Sequence, residues 1–78
     1  MDGTFNGVHL RRITSITTQA VNGSKRTTIR VLDFPHPELE AKLQSQVSAL
    51  LILSDREIEG RIVSYAADGH GYEIVMKA

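Results

Sequence analysis

The stretch ITSITTQAVNGSKRTTIRVL, residues 13–32, decides the fold. Two runs rich in β-branched residues flank Asn22-Gly23. Both central positions of a type I′ turn need positive φ, which Asn and Gly tolerate, so the pattern predicts a β-hairpin with a two-residue loop. Such a loop fixes the register. Pairing Val21 with Ser24 sets Thr18 opposite Thr27, Thr17 opposite Thr28 and Ile16 opposite Ile29. Carried further without interruption, it sets Thr14 opposite Val31, Ile13 opposite Leu32 and Arg12 opposite Asp33. Like meets like along this ladder, and the acid meets an arginine, as favourable cross-strand pairs do.

One face of the hairpin then carries Leu10, Thr14, Ile16, Ile29 and Val31, which suits burial. The other carries Ser15, Thr17, Gln19, Arg26, Thr28 and Arg30, which suits water. Ile13 and Leu32 fall on the polar face, where they need either a cover or a bulge that turns them inward. Beyond Ile16 and Ile29 both faces are polar, so the tip is expected to project from the core.

Working outward, residues 1–7 read as a loose lead-in with Phe5 as an anchor. On the other side, Phe34-Pro35-His36-Pro37 stops the second strand, because proline cannot continue a ladder. Pro37 suits a first helical position, and Glu38 and Glu40 suit the positive end of a helix dipole. Leu39, Leu43 and Val47 follow at helical spacing, which predicts a short helix over about 37–46 with one apolar stripe. The apolar run at 49–53 reads as a strand covered on both faces. A turn at 54–57, a strand at 58–65 with Gly60 at a bulge or close approach, a turn at 67–71 and a last strand with Tyr72, Ile74 and Met76 on one face complete the chain.

The predicted order is β-β-α-β-β-β in one domain, residues 1–78. Five short strands in so small a chain reduce their open edges by curling, so the expected fold is mainly β: a small antiparallel barrel or roll, SH3-like or OB-like in general shape. With no cysteine and four aromatics among 78 residues, the core rests on Ile, Leu and Val. A single core of this size contributes only ~3–5 kcal/mol of net stability, which favours oligomerisation or docking on a partner.

Charge gives the main functional clue. Residues 1–32 carry Arg11, Arg12, Lys25, Arg26 and Arg30 against Asp2, whereas residues 33–78 carry four basic groups against eight acids, so a formal net charge of zero conceals opposite halves. Dipolar surfaces steer partners and set their orientation. The candidate partner-binding residues are therefore Thr17, Gln19, Lys25, Arg26, Thr28 and Arg30 on the hairpin. Asp55, Glu57 and Glu59 form a candidate acidic counter-surface, able to meet the arginines of a neighbouring copy in a ring or filament.

Catalytic motifs are missing from the chain. Neither a phosphate loop nor a nucleophile elbow occurs, and His9, His36 and His70 lack metal-ligand spacing. Asp68-Gly69-His70-Gly71 reads as a turn before it reads as an acid–base site. A barrel this small does not enclose a pocket of ~300 Å³, so no small-molecule substrate and no cofactor are expected. No apolar run approaches the roughly 20 residues of a membrane span, and no secretory leader opens the chain, so the expectation is a cytoplasmic protein or one assembled into a particle there.

The expected function is that of a non-catalytic interaction or assembly module. It would serve as a small subunit of a larger complex, such as a virion or phage-type particle, or as a protein that docks on and modulates another. The alternative is a small nucleic-acid-binding barrel using the same basic hairpin. Its weakness is a near-neutral chain whose basic half offers only Phe5 for base stacking.

Overall fold

The structure, a computed structural model, describes residues 1–34 and 36–78. Seven antiparallel strands form one unclosed sheet with a single short helix: β1 (Gly3–Phe5), β2 (Val8–Leu10), β3 (Ile13–Val21), β4 (Ser24–Val31), α1 (Pro37–Ser45), β5 (Ser48–Ile52), β6 (Glu57–Asp68) and β7 (Gly71–Lys77). Their spatial order is β2-β1-β5-β6-β7-β4-β3. The mainly β expectation and the β5-β6-β7 meander hold. The count of five strands and the closed barrel do not.

Of the two additional strands, β1 lies in the lead-in of residues 1–7 expected to be loose, and β2 takes Leu10, which was expected to belong to the long hairpin. Asn6 and Gly7 both take positive φ, 49° and 84°, and fold residues 3–10 into a second Asn-Gly hairpin. Phe5 on it is fully buried, so its role as an anchor is borne out.

The β3–β4 hairpin follows the predicted register from Val21↔Ser24 to Ile16↔Ile29. It then departs. Ser15 pairs with Arg30 and Ile13 pairs with Val31, so one extra residue, Thr14, bulges out of β3. In the uninterrupted register Ile13 would face water; the bulge turns it into the core, where it is buried. Thr14 is consequently exposed instead of buried, and its hydroxyl donates to Arg30 O at 3.3 Å. The Arg12–Asp33 pair is also lost. Arg12 takes a left-handed φ of 59° and its carbonyl accepts from Leu32 N, leaving Leu32 41% exposed.

The hairpin does not project as a free arm. β7 pairs with β4 from Arg26 to Val31, and Ala78 N donates to Lys25 O at 2.9 Å. Of its two strands, β3 is the one at a margin of the sheet. The inner side of the sheet supplies the core through rows of facing residues such as Ile16–Ile29–Ile74–Tyr65. Tyr72, Ile74 and Met76 are all buried, as their alternation predicts. Each fully buried Leu, Ile or Phe contributes about 1.5–3 kcal/mol of transfer free energy. Gly60 stands where β6 passes β7: a Cβ there would collide with the Lys77 carbonyl, which explains the close approach expected at that glycine.

Helix α1 begins with His36 as its cap, Nδ1 accepting from Glu38 N at 3.2 Å, and Pro37 in the first turn. Leu39 is fully buried and Leu43 packs partly against the core. Val47 was expected to continue that stripe but lies beyond the helix and is 62% exposed. The helix stops at Ser45 because Gln46 is already extended, its N–H closing the last turn on Lys42 O, and the chain must enter β5 with Ser48 opposite Arg61. β4 ends at Val31; Pro35, expected to help terminate it, lies outside the described residues. Among the described residues no helix is long and apolar enough to cross a membrane.

Candidate functional site: a cationic row on the outer face

Residues that face one another across a ladder share a side of the sheet, so register fixes which side chains lie together. Ser15, Thr17 and Gln19 of β3 face Arg30, Thr28 and Arg26 of β4. Five of the six residues proposed for the hairpin surface therefore share the outer side. Lys25 does not. It pairs with Ala20 and alternates to the opposite side.

Arg30 is committed within the fold. Its guanidinium lies 3.0 Å from an oxygen of Asp68 and 3.8 Å from one of Glu73, its ladder partner on β7. Asp68 in turn accepts from His70 N and Gly71 N, closing the two-residue turn between β6 and β7. Those backbone donors, with the Arg30 guanidinium, hold the Asp68 carboxyl below its ordinary range. The 67–71 segment is thus a turn, as its glycines suggested, and its acid anchors an arginine two strands away.

Arg26 has the opposite surroundings. It faces Lys77 of β7, and Lys77 faces Arg61 of β6 on its other side. With Gln19 before and Ser48 of β5 after, the row across five strands reads Gln19–Arg26–Lys77–Arg61–Ser48. Strands lie about 4.8 Å apart, so three cations fall within roughly 10 Å. Like charges directly opposite one another destabilise a sheet. Among the described residues none of the three forms an ion pair. The adjoining row, Thr17–Thr28–Val75–Ser64, supplies hydroxyls and no aromatic ring.

The proposed acidic counter-surface is also on the outer side. Glu57 and Glu59 alternate with the half-buried Ile58 on β6 and face Ile52 and Leu50. Asp55 sits in the turn closed by Leu53 N donating to Arg56 O at 2.8 Å. All three acids are exposed and, among the described residues, unpaired.

Sequence reasoning missed Arg61 and Lys77, which belong to the acidic half of the chain. Folding interleaves the halves: Lys77 and Arg61 join Arg26, while Asp68 and Glu73 neutralise Arg30. The β4–β7 register that does this joins residues more than 40 positions apart, and no local pattern encodes it.

A second surface feature lies around Phe34, which is 83% exposed. A hollow of about 130 Å³ on one side is lined by Arg12, Leu32 and His70, and an open hollow of about 440 Å³ on the other by His9, Arg11 and His36. The three histidines thus gather near Phe34 and Asp33, yet among the described residues no group of three or more metal-ligating side chains is placed to hold an ion. Comparison of the chain with protein-family models, with curated proteins and with solved structures finds no match.

Proposed function

We propose that this protein is a non-catalytic interaction module that docks an acidic protein surface on the outer face of its sheet. Arg26, Lys77 and Arg61 make the main charge contact, and Thr17, Gln19 and Thr28 add hydrogen bonds. Supporting the reading is one observation: three cations stand side by side across the ladder and, among the described residues, none of them is held in an ion pair. A fold retains such a repulsive cluster at a cost in stability, as sites kept for binding do. A subunit of a larger assembly fits this reading, including a virion or phage-type particle, as does a small protein that modulates another by docking on it. The acids Glu57 and Glu59 of a further copy are one surface of the required sign. The reading does not lean on an SH3-like or OB-like likeness of shape, since shape alone carries no function.

The alternative partner is nucleic acid, whose phosphates the same row could meet. Against it, the row lacks the aromatic platforms that single strands stack upon: Phe5 and Tyr72 are buried, Tyr65 faces inward, and the exposed Phe34 lies beyond the end of β4, outside the row.

The test is a charge reversal read in two ways. Lys77→Glu replaces a like-charge neighbour of Arg26 and Arg61 by an opposite charge, and is expected to raise stability by about 0.2–1 kcal/mol in urea melts. The same variant combined with Arg26→Glu is expected to weaken binding of a labelled Glu/Asp-rich peptide at least tenfold. Unchanged peptide binding sinks the proposal. Tight binding of a DNA or RNA oligomer, falling by about one power of salt concentration per neutralised phosphate, supports the alternative.

A further inference from the structure

Strand β3 stands at one margin of the sheet and, among the described residues, pairs only with β4. At its base the open side is covered, since Met1 and Ile13 exchange backbone bonds: Ile13 N donates to Met1 O at 2.8 Å, and the Met1 amino group donates to Ile13 O at 3.3 Å. Beyond that point no backbone hydrogen bond among the described residues reaches the open side of residues 15–21. Val21 and Ser24 flank the two-residue turn and exchange both of their bonds, so by alternation Gln19 and Thr17 also bond to β4. The N–H and C=O groups of Ile16, Thr18 and Ala20 therefore point away from the molecule.

Natural edge strands are protected by charge, proline, a bulge or brevity. The other margins have such protection. β2 is three residues long and runs into Arg11 and Arg12. The part of β6 beyond β5 carries an irregularity between Ile62 and Ser64 and ends on Asp68. β3 has none where it matters. Ile13–Val21 contains neither a charged residue nor a proline, and its bulge sits at the base, leaving residues 15–21 regular.

We infer that β3 pairs antiparallel with β3 of a second copy, on a two-fold axis through Thr18, joining two sheets into one. This goes beyond the proposed function by giving the sheet margin a partner of its own, and rests on the reading that the protein is an interaction module. In that register Thr18 faces Thr18 of the other copy, Ile16 faces Ala20, and Ala20 faces Ile16. All six outward backbone groups of each strand are then satisfied, in six inter-copy hydrogen bonds. On the outer side Gln19 faces Thr17 of the second copy, so the row ending in Arg26 continues into Thr17 and Thr28, and no cation is set against a cation. Registers displaced by two residues in either direction leave at least one free residue of each copy unmatched or oppose β3 to the Met1 segment. The resulting dimer presents two cationic rows on one extended outer face.

The test is the mass of the full chain by sedimentation across about two decades of concentration. Wild type is expected to reach the dimer. Thr18→Lys sets two ammonium groups face to face at the axis and is expected to weaken dimerisation at least tenfold; because it also removes the 3.1 Å contact between the Thr18 and Thr27 hydroxyls, a retained circular dichroism spectrum and cooperative melt of the monomer are the control that it stays folded. Thr18→Pro removes an N–H that only the second copy uses. In wild type the amides of Ile16, Thr18 and Ala20 are expected to exchange more slowly as concentration rises, which reads the pairing without any substitution. A wild-type chain that stays monomeric overturns the inference, as does a dimer indifferent to Thr18→Lys. A dimer that survives Thr18→Lys and is lost in the Arg26→Glu, Lys77→Glu variant overturns it in favour of contact through the cationic row. Acidic-peptide binding by the monomeric Thr18→Lys variant tests the proposed function separately.

Discussion

Asn6-Gly7 and Asn22-Gly23 are the same dipeptide in the same turn, with φ of 49° and 84° in one and 51° and 80° in the other. Their surroundings could hardly differ more. The Asn6 side chain accepts from Leu50 N at 2.7 Å and donates to Ser48 O and Gln46 Oε1, while its backbone carbonyl receives Lys42 Nζ at 2.7 Å. One turn thus ties together β1, β5 and the helix. Asn22 makes no side-chain bond among the described residues, and Val21 beside it is exposed. The first hairpin is short and held by what surrounds it. The second is long and held by its own ladder and by β7 along β4, which leaves only the far side of β3 available.

Two pairs of substitutions separate the hairpins, and a third experiment probes how Arg30 of the second is held. The largest effect is expected from Phe5→Ala in the first hairpin. Removing a fully buried phenylalanine costs about 3–5 kcal/mol, which matches the whole margin of a core this size. Loss of the cooperative thermal transition is the expected reading, whereas Val21→Ala at the second turn should stay within about 0.5 kcal/mol of wild type.

Next comes the same substitution at both turns. Asn22→Ala forces alanine into left-handed backbone and should cost about 1 kcal/mol. Asn6→Ala adds the loss of its side-chain hydrogen bonds and should cost about 2–3 kcal/mol in denaturant melts. Equal costs would erase the distinction drawn between the turns.

The smallest effect concerns the arginine that the fold retains. The Asp68 carboxyl is held below its ordinary value of 3.8, chiefly by His70 N and the Arg30 side chain. A lowered carboxylate stabilises the folded state fully above the unfolded pKa, and that contribution is lost as pH falls through the folded pKa. The stability difference between wild type and Asp68→Asn should therefore shrink as pH drops below 3.8. A gap that is constant with pH would dissociate Asp68 ionisation from the anchoring of Arg30.

Legibility followed the range of the determinant. The Asn22-Gly23 hairpin could be read because its turn and register lie within twenty residues, and the pairs from Val21↔Ser24 to Ile16↔Ile29 match the reading. The Asn6-Gly7 turn carried the same signal, but its flanks, Gly3-Thr4-Phe5 and Val8-His9-Leu10, are too short to display an alternation. Their order comes from β5 and α1, distant in sequence. The bulge at Thr14 was foreshadowed by Ile13 lying on the wrong face; its position was not, because it answers to space in the assembled core. At the candidate site, Arg26 with Thr17, Gln19 and Thr28 was legible from alternation alone. Arg61 and Lys77 were hidden because β6 and β7 acquire their register from tertiary pairing, and Arg30 was over-read for the same reason.

The strand order β2-β1-β5-β6-β7-β4-β3 has a consequence in time. The two Asn-Gly hairpins are neighbours in sequence yet stand at opposite ends of the ladder, with β5, β6 and β7 between them. During synthesis each hairpin can close as soon as it emerges, in microseconds for such a local step. Neither can join the other through the ladder until residues 48–77 have been made. Loop closure over such separations slows folding. For that interval the nascent chain exposes β4 on its β7 side as well as the uncharged margin of β3, so the growing polypeptide is at its most adhesive before the meander arrives to fill the gap.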